Sequence, residues 1–156
     1  MKLTARERTG LRAMVEFARR HGQGPTALSE VASAQDLPLP YLEQVVALLR
    51  RAELLESVRG AHGGYMLARD PAEISAGDVF RAVEGSLMTL DCMRTDGSCE
   101  REPICATRNV WQIIVDRLED TLDHTSLVDV LAWDADEHYR ETLSAMIKDD
   151  NRCGPE

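Results

Sequence analysis

Apolar residues recur every three or four positions through the first fifty residues, which is the spacing of amphipathic helices. Thr4 and Glu7 have the spacing of a capping box, so they predict the start of a first helix. Its apolar face is formed by Leu11, Met14 and Ala18. The Gly/Pro sequence at 22–25 ends this helix, and we expect Thr26 to cap a short second helix. The buried face of the second helix is predicted to consist of three residues, Leu28, Val31 and Ala32.

A third amphipathic helix follows the tight connection "DLPLP", with Pro40 expected at its first helical position. Its buried face is predicted to consist of Leu42, Val45, Val46 and Leu49. Two helices joined by a short turn, the second of them amphipathic, indicate a helix-turn-helix. The next segment, "LLESVRGAHGGYMLARD", is typical of a strand, a glycine-rich turn and a second strand. A hairpin in this position is the wing of a winged helix.

The second half of the chain is predicted to be helical on both sides of a cysteine-rich segment. Ser75 and Asp78 form another capping box, Gly85 stops the helix, and three residues face inward: Val79, Phe80 and Val83. Residues 105–123 contain no Pro or Gly, and they carry a long apolar stripe: Trp111, Ile114, Val115, Leu118 and Leu122. So wide an apolar face predicts a dimerisation helix. A short helix is expected from Ser126, and a final one is expected around Tyr139, Leu143, Met146 and Ile147, followed by a polar tail.

These elements predict a mainly α fold, a winged helix-turn-helix with a small β-hairpin wing and a long dimerisation helix. We divide the chain into a DNA-binding domain at 1–70, a linker and short helix at 71–88, and a cysteine cluster loop at 89–105. The dimerisation helix and a following short helix occupy 106–131. A C-terminal helix and tail occupy 132–156.

The distribution of charge decides whether nucleic acid is a plausible partner. The formal net charge is -9, from 18 Lys and Arg against 27 Asp and Glu. Residues 1–70 hold ten basic and eight acidic residues, net +2, so the remaining residues carry -11. The first half can therefore still face a polyanion. No signal peptide or membrane span is evident, so we expect a cytoplasmic protein, and no nucleophile–base pair or phosphate loop points to an enzyme.

The third helix offers side chains for reading DNA. A recognition helix presents the residues of its first two turns that lie outside the apolar face, which here are Tyr41, Glu43, Gln44 and Ala47. A glutamate can accept from cytosine, and a glutamine can pair with adenine. Arg50 and Arg51 suit phosphates, and Arg59 and His62 in the hairpin turn could reach the minor groove or the backbone. The plainer interpretation is that these polar residues only form a solvated surface.

Three cysteines, Cys92, Cys99 and Cys105, fall within fourteen positions, and Cys153 lies apart in the polar tail. The spacing C-x6-C-x5-C differs from the C-x2-C pairs of most structural zinc sites, although zinc stays possible. Open loops of this kind can place three thiolates around an iron-sulfur cluster. Thiol redox sensing, or three cysteines without a common role, are the alternatives.

The segments "MKLTARERTGLRAM" and "LPYLEQVVALLRRAELLESVRGAHGGYMLARDPAEISAGDVFRAVEG", with the cysteine loop and the long helix after it, resemble the Rrf2 family of winged-helix regulators. The resemblance covers residues 1 to about 131 and is nearest to iron-sulfur sensors of IscR and NsrR type. It implies a homodimer that binds palindromic promoter DNA under the control of a [2Fe-2S] or [4Fe-4S] cluster. It also implies that the three loop cysteines are cluster ligands and that Glu43, Gln44 and Arg59 touch the operator.

The fourth cluster ligand is not evident from the sequence. Where the IscR pattern has a histidine, this chain has Arg108, a cation that cannot ligate iron. Relatives of NsrR type use an acidic residue from the N-terminal segment. That makes Glu7 our candidate, although Arg8 aligns with the position and a capping box already accounts for Glu7. His124, Glu100 and a solvent-derived ligand are rivals.

We therefore expect a homodimeric, iron-sulfur-controlled transcriptional repressor that binds double-stranded DNA. The alternative is a redox or metal-binding partner protein of cluster assembly that does not bind DNA, for which the net charge of -11 in the second half is the main support.

Overall fold

The computed structural model describes residues 4–60, 62–85 and 105–136. In order, these residues form α1 (Ala5–Arg19), α2 (Leu28–Ala34), α3 (Leu39–Arg51), β1 (Leu55–Val58), β2 (Gly64–Leu67), α4 (Ala76–Glu84), α5 (Arg108–Asp123) and α6 (Leu127–Ala135). A single 3-10 turn at Pro71–Glu73 precedes α4. Cys92, Cys99, Cys153, Glu100 and the expected C-terminal helix lie outside the described residues.

The predicted helix starts at Thr4 and Ser75 are confirmed. Each side-chain hydroxyl accepts from the backbone three residues later, and the acidic side chain of that residue accepts from the cap backbone. Ser126 caps α6 in the same way, with Asp129 as its acidic partner. Gly85 ends α4 with φ +85°, in the left-handed region that glycine tolerates. These signals involve residues three apart, which is why the sequence alone reveals them.

The prediction that Thr26 caps α2 is wrong. The cap residue is Ala27, which has no side-chain capping bond. Thr26 instead pairs with Tyr65 of β2 through two backbone hydrogen bonds, each 2.9 Å from N to O. It thus forms a one-residue antiparallel bridge beside the hairpin. Gly64 belongs to this contact, because a Cβ there would collide with the Thr26 carbonyl oxygen. The wing is therefore anchored to the start of α2.

The turn between α2 and α3 places the recognition helix. Helix α3 begins at Leu39 after Pro38 as its cap, so Pro40 occupies the second helical position and not the predicted first. Either position tolerates proline, because N–H groups in the first turn have no partner within the helix. Ahead of it, the Leu37 N–H donates to the Ala32 carbonyl oxygen at 2.9 Å, across Asp36 at φ 48°. This pair of features is a Schellman end to α2, built without glycine.

One apolar core joins the helices and the hairpin. Its fully buried side chains come from α1, α3, β1, the segment before α4, and α6: Met14, Leu42, Leu49, Leu55, Ile74 and Leu127. Helix α1 packs against α3, α4 and α6. Gly10 allows the close approach to α4, because a Cβ there would lie 3.1 Å from Cγ1 of Val83. The predicted inward faces of α3 and α4 are confirmed.

Helices α5 and α6 are attached to α4 by backbone and side-chain bonds. The Ala76 N–H donates to the Thr125 carbonyl oxygen at 2.8 Å, and the Leu127 N–H donates to the Ile74 carbonyl oxygen at 2.9 Å. Arg81 pairs with Asp123 at 2.7 Å. The hydrogen bond to Asp123, and a weaker one to Asp78, raise the pKa of Arg81 against the effect of burial. The end of α5 is thus fixed to α4.

Candidate nucleic-acid interface and metal centre

Helix α3 separates a core face from a solvent face. Leu42, Val45, Val46 and Leu49 are no more than 1% exposed. The opposite side presents the predicted reading residues Glu43, Gln44 and Ala47, and the two arginines of the last turn follow them, all exposed. Tyr41 differs, because it is half-buried and packs against the core. Its ring can therefore support the start of α3.

The wing is a five-residue turn between two antiparallel strands, with Val58 opposite Gly64. Arg59 and His62 are exposed in this turn. The Gly63 N–H donates to the Gly60 carbonyl oxygen at 3.0 Å, and Gly60 has φ +126°, a conformation that glycine alone adopts readily. The glycines therefore shape a narrow tip that carries one arginine and one histidine outward.

The candidate DNA-reading side chains make no competing contacts within the part of the chain that the structure describes. Glu43, Gln44, Arg50, Arg51, Arg59 and His62 form no side-chain hydrogen bond or ion pair with other described residues. Other arginines, the exposed Arg12 and Arg19 and the half-buried Arg20, form hydrogen bonds with protein partners. The surface formed by α3 and the wing therefore presents cations that are available to phosphates.

A buried carboxylate behind this surface holds several polar groups, and sequence reasoning did not single it out. Glu16 is 5% exposed and accepts from Arg19 at 3.1 Å, Arg20 at 2.9 Å and Gln35 at 3.1 Å. Burial acts to raise the pKa of Glu16, but the hydrogen bonds from Gln35, Arg20 and Arg19 outweigh it and hold that pKa below its ordinary value. The anion at Glu16 is thus the stable form.

Gln35, the last residue before the turn of the helix-turn-helix, is held from both sides. Its amide nitrogen donates to Glu16, and its amide oxygen accepts from Arg12 Nε at 3.3 Å. Arg12 also donates to the Gln35 backbone oxygen. The i,i+4 spacing of Arg12, Glu16 and Arg20 is visible in the sequence as a charged stripe. Nothing local reveals that a glutamine from α2 completes it.

Of the three cysteines predicted to be cluster ligands, Cys105 alone lies within the described residues. It is partly exposed, and its Sγ lies 3.3 Å from Thr107 Oγ1, one residue before α5 begins. A helix N-terminus favours negative charge, so the position suits a thiolate or an anionic cluster. Within residues 4–60, 62–85 and 105–136, no group of three His, Cys, Asp or Glu side chains is placed to hold a metal. The full set of cluster ligands is therefore a prediction from the sequence.

The structure separates the candidates for a fourth ligand. His124 follows the sixteen residues of α5, about 24 Å along the helix from its first residue, and its Nδ1 lies 2.8 Å from the Asp120 carbonyl oxygen. It is thus too far from Cys105 to share a cluster within one chain. Glu7 is buried, and its carboxylate accepts from the Thr4 N–H in the capping box. Arg108 is the first residue of α5.

Helix α5 has two apolar sides, and the other residues that the structure describes cover one of them. Val115 is buried, and Leu118 and Leu122 are half-buried against the rest of the chain. Val110, Trp111, Ile113 and Ile114 are between 42% and 60% exposed. Large apolar side chains exposed together on one helix indicate a surface for a partner. Of the predicted dimerisation stripe, only Trp111 and Ile114 lie on this exposed side, whereas Val115, Leu118 and Leu122 belong to the covered side.

The arrangement of α2, α3 and the hairpin defines a winged helix-turn-helix DNA-binding protein. The family model described as Rrf2, iron-dependent transcriptional regulator, matches residues 3–132. The chain therefore belongs to the Rrf2 family, whose members are transcriptional regulators and not enzymes, as the sequence predicted.

Individual relatives carry two different names. The HTH-type transcriptional regulator CymR of Bacillus subtilis (strain 168) is 40% identical over 133 residues, covering 85% of this chain and 91% of the relative. Its structure, titled as that of the global cysteine regulator of B. subtilis, has a TM-score of 0.72 at 38% identity, covering 85% of this chain and 98% of that one. The T. potens IscR structure also reaches 0.72 at 38% identity, with coverage of 88% and 90%.

These comparisons confirm a DNA-binding transcriptional regulator with the predicted fold, and membership of the family implies a dimer. None of the helices in the described ranges is long and apolar enough to cross a bilayer.

Proposed function

We propose that the protein is a homodimeric, sequence-specific repressor that reads a palindromic operator with α3 and the wing. The observation that supports this most directly is the set of exposed, unengaged polar side chains on α3 beside the arginine of the wing. Two copies joined through α5 would present two such surfaces, as a palindrome requires. The net charge of +2 over residues 1–70 agrees with contact to phosphates.

Glu43 and Arg59 allow base reading and phosphate contact to be tested separately. A duplex selected by the wild-type protein from random sequence is compared with a scrambled duplex of equal composition. Glu43→Ala should change which bases are selected more than it changes overall affinity, because it removes a base acceptor and also removes repulsion from phosphate. Arg59→Ala should weaken binding to both duplexes and lower the salt slope by about one.

Two variants serve as matched controls for this experiment. Glu56 is an exposed glutamate on β1, and Glu56→Ala should leave the selected sequence unchanged. Arg69 lies past the opposite end of the hairpin and pairs with Asp78 at 3.8 Å, so Arg69→Ala should lower the salt slope less than Arg59→Ala does. If the wild type bound both duplexes equally, the proposal would give way to a partner protein that does not read DNA.

We further propose that an iron-sulfur cluster on Cys92, Cys99 and Cys105 controls DNA binding. Three thiolates from one loop suit such a cluster, and the family model is described as iron-dependent. Cys105 lies two residues before the N-cap of α5, so its ligation would bear directly on the start of the proposed dimerisation helix. A bound cluster would supply sensitivity to redox state, nitric oxide or iron supply.

The cluster proposal is tested by anaerobic purification, with absorption spectra and counts of iron and sulfide. Alanine at Cys92, Cys99 or Cys105 should abolish or strongly labilise the chromophore. Cys153→Ala, the control, should leave it intact. Bleaching by Cys153→Ala as complete as that by the others would contradict the proposed ligand set.

Glu7 is proposed as the fourth cluster ligand. This role competes with the capping box, in which the same carboxylate accepts from the Thr4 N–H. Binding iron would require its carboxylate to leave the Thr4 N–H. Glu7→Gln should shift the cluster spectrum and shorten the cluster lifetime at unchanged helicity. Thr4→Ala is the control, because it weakens the same cap without removing a carboxylate. An unaltered spectrum and lifetime in Glu7→Gln would remove Glu7 from the ligand set.

The similarity to CymR supports a second candidate, a regulator that responds to cysteine or to thiol status through its cysteines. The presence of Arg108 where IscR-type sequences have a histidine favours it further. Anaerobically purified protein without iron or sulfide, but with DNA binding that depends on thiol oxidation, would establish this candidate in place of the cluster.

A further inference from the structure

Gln35 is the C-cap residue of α2 and begins the turn that leads to α3. We propose that Gln35 is a positioning residue for the recognition helix, and that the polar chain Gln35–Glu16–Arg19–Asp134 couples its position to α6. This inference rests on the proposed reading of DNA by α3.

The geometry around Gln35 specifies an amide. Its nitrogen donates to the anionic Glu16, and its oxygen accepts from the cationic Arg12, so donor and acceptor face opposite charges. A carboxylate at this position could satisfy Arg12 but would repel Glu16. Hydrogen bonds to charged groups are stronger than neutral ones, so they hold the side chain in one orientation.

The second link in the chain joins Glu16 to the C-terminal part of the molecule. Arg19 donates to Glu16 at 3.1 Å through one guanidinium nitrogen and to Asp134 of α6 through the other. Glu16 is almost fully buried, whereas Asp134 is 56% exposed. Solvent weakens the exposed Arg19–Asp134 pair. Asp134 should therefore affect the position of α3 only modestly, and Gln35 should affect it more.

The orientation of this turn matters more for base reading than for general attraction to DNA. Hydrogen bonds to base edges require the reading side chains to be placed within a fraction of an ångström. Contacts to phosphates tolerate small displacements, since they depend mainly on charge. Loosening the turn should therefore lower discrimination between sequences more than it lowers binding to a scrambled duplex.

The test measures the ratio of the two dissociation constants, for the scrambled and the selected duplex, on the full-length protein at fixed salt. Gln35→Ala should lower this ratio about tenfold, the loss expected from bonds to charged groups. Gln23→Ala is the matched control, because Gln23 is an exposed glutamine that bonds the Arg19 carbonyl oxygen at 3.3 Å but lies outside the turn. The control should preserve the ratio.

A charge exchange separates positioning from simple loss of stability. Gln35→Glu places two carboxylates together and should lower the ratio. Adding Glu16→Gln reverses donor and acceptor between the same two positions, and should restore most of the ratio even if thermal stability stays below that of wild type.

The link to α6 is tested by combining substitutions. Asp134→Asn should lower the ratio about twofold, in keeping with an exposed ion pair, and Asp116→Asn on α5 controls for the change in net charge. In the double variant Gln35→Ala/Asp134→Asn the loss should be no larger than in Gln35→Ala alone.

The outcomes test three statements separately: the positioning role of Gln35, its coupling to α6, and the proposed reading of DNA. An unchanged ratio in Gln35→Ala, or no recovery in the Glu16→Gln/Gln35→Glu variant, would overturn the positioning role. Independent, multiplying effects of Gln35→Ala and Asp134→Asn would overturn the coupling to α6 alone. A wild-type protein that does not discriminate between the duplexes would instead overturn the proposed function, and this inference with it.

Discussion

Glu53 shows how a single residue can carry backbone strain for the sake of the chain path. It follows α3 with φ 58°, and the Leu54 N–H closes the helix end by donating to the Leu49 carbonyl oxygen at 3.0 Å. Asp36 has the same role after α2. Residues other than glycine, asparagine and aspartate are unfavourable in this conformation, so Glu53 carries more strain than Asp36. The C-terminal ends of both helices of the helix-turn-helix, α2 and α3, are thus each followed by an acidic residue in a left-handed conformation.

Glu53→Gly should therefore stabilise the protein. Relief of the left-handed backbone is worth about 1 to 2 kcal/mol, and the added freedom of the unfolded chain removes about 0.4 to 1 kcal/mol. A net gain of about 0.5 to 1 kcal/mol should appear in thermal or denaturant unfolding at fixed protein concentration.

Glu56→Gly controls for the effect of glycine itself. Glu56 lies in β1 opposite Met66, where glycine is unfavourable. The substitution should therefore destabilise the protein by about 0.5 to 1 kcal/mol. If the two substitutions changed stability in the same direction, strain at Glu53 would not be the cause.

The residues that could be predicted from sequence are those whose partners are close in the chain. The capping boxes at Thr4 and Ser75 and the buried face of α3 follow from spacings of three and four. Thr26 was mistaken for a cap because its true partner, Tyr65, is thirty-nine positions away. The bond between Glu16 and Gln35 joins two helices and has no local signal. Long-range polar pairing is the part of the site that sequence patterns do not reveal.

At the scale of elements, α5 is the helix whose surroundings are least complete. Helix α5 packs on α4 and buries Val115, and its other side leaves Ile114 42% exposed and Ile113 60% exposed. Exposed apolar side chains at adjacent helical positions are unfavourable in water, and burial of each is worth about 1.5 to 3 kcal/mol. Association through this side would account for the composition of the helix.

Ile114→Glu should accordingly weaken the dimer. Placing a carboxylate at the centre of a buried apolar interface costs several kcal/mol, so the dissociation constant of the dimer should rise by a hundredfold or more. The measurement is sedimentation equilibrium or mass photometry across a concentration series.

Gln112→Glu is the control for charge and helix propensity. Gln112 is exposed and bonds Asp116 at 2.7 Å, and residues two apart on a helix face different directions. Dissociation by both variants to the same extent would show that added charge, and not the apolar side of α5, is responsible.

At the scale of the whole molecule, polar links connect the DNA-reading half to the acidic half. The chain carries +2 over residues 1–70 and -11 beyond them, yet α6 packs against α1 and Arg19 pairs with Asp134. Arg6 pairs with Glu84 and Arg69 pairs with Asp78 across the same division, each at 3.8 Å. The acidic half thus neutralises these arginines, whereas Arg50, Arg51 and Arg59 form no ion pair with the residues that the structure describes.

Glu16 lies at the centre of these links, so the stability of the whole molecule should depend on its ionisation. Its folded-state pKa lies below the ordinary value, despite burial, because Gln35, Arg20 and Arg19 donate to the carboxylate. The ion therefore contributes stability that is fully present above the unfolded-state pKa. That contribution is lost as the pH falls through the lower folded-state pKa.

Glu16→Gln removes this titration while keeping the shape of the side chain. The variant should be less stable than wild type near neutral pH, because Arg19 and Arg20 lose an anionic partner. The difference should shrink as the pH falls below the ordinary pKa of glutamate and through the lower folded-state pKa of Glu16. Denaturant unfolding at a series of pH values measures both curves, and Glu30→Gln controls for an exposed glutamate that also pairs with Arg20. A Glu16→Gln curve that stayed parallel to wild type at every pH would show that the ionisation of Glu16 does not couple to folding.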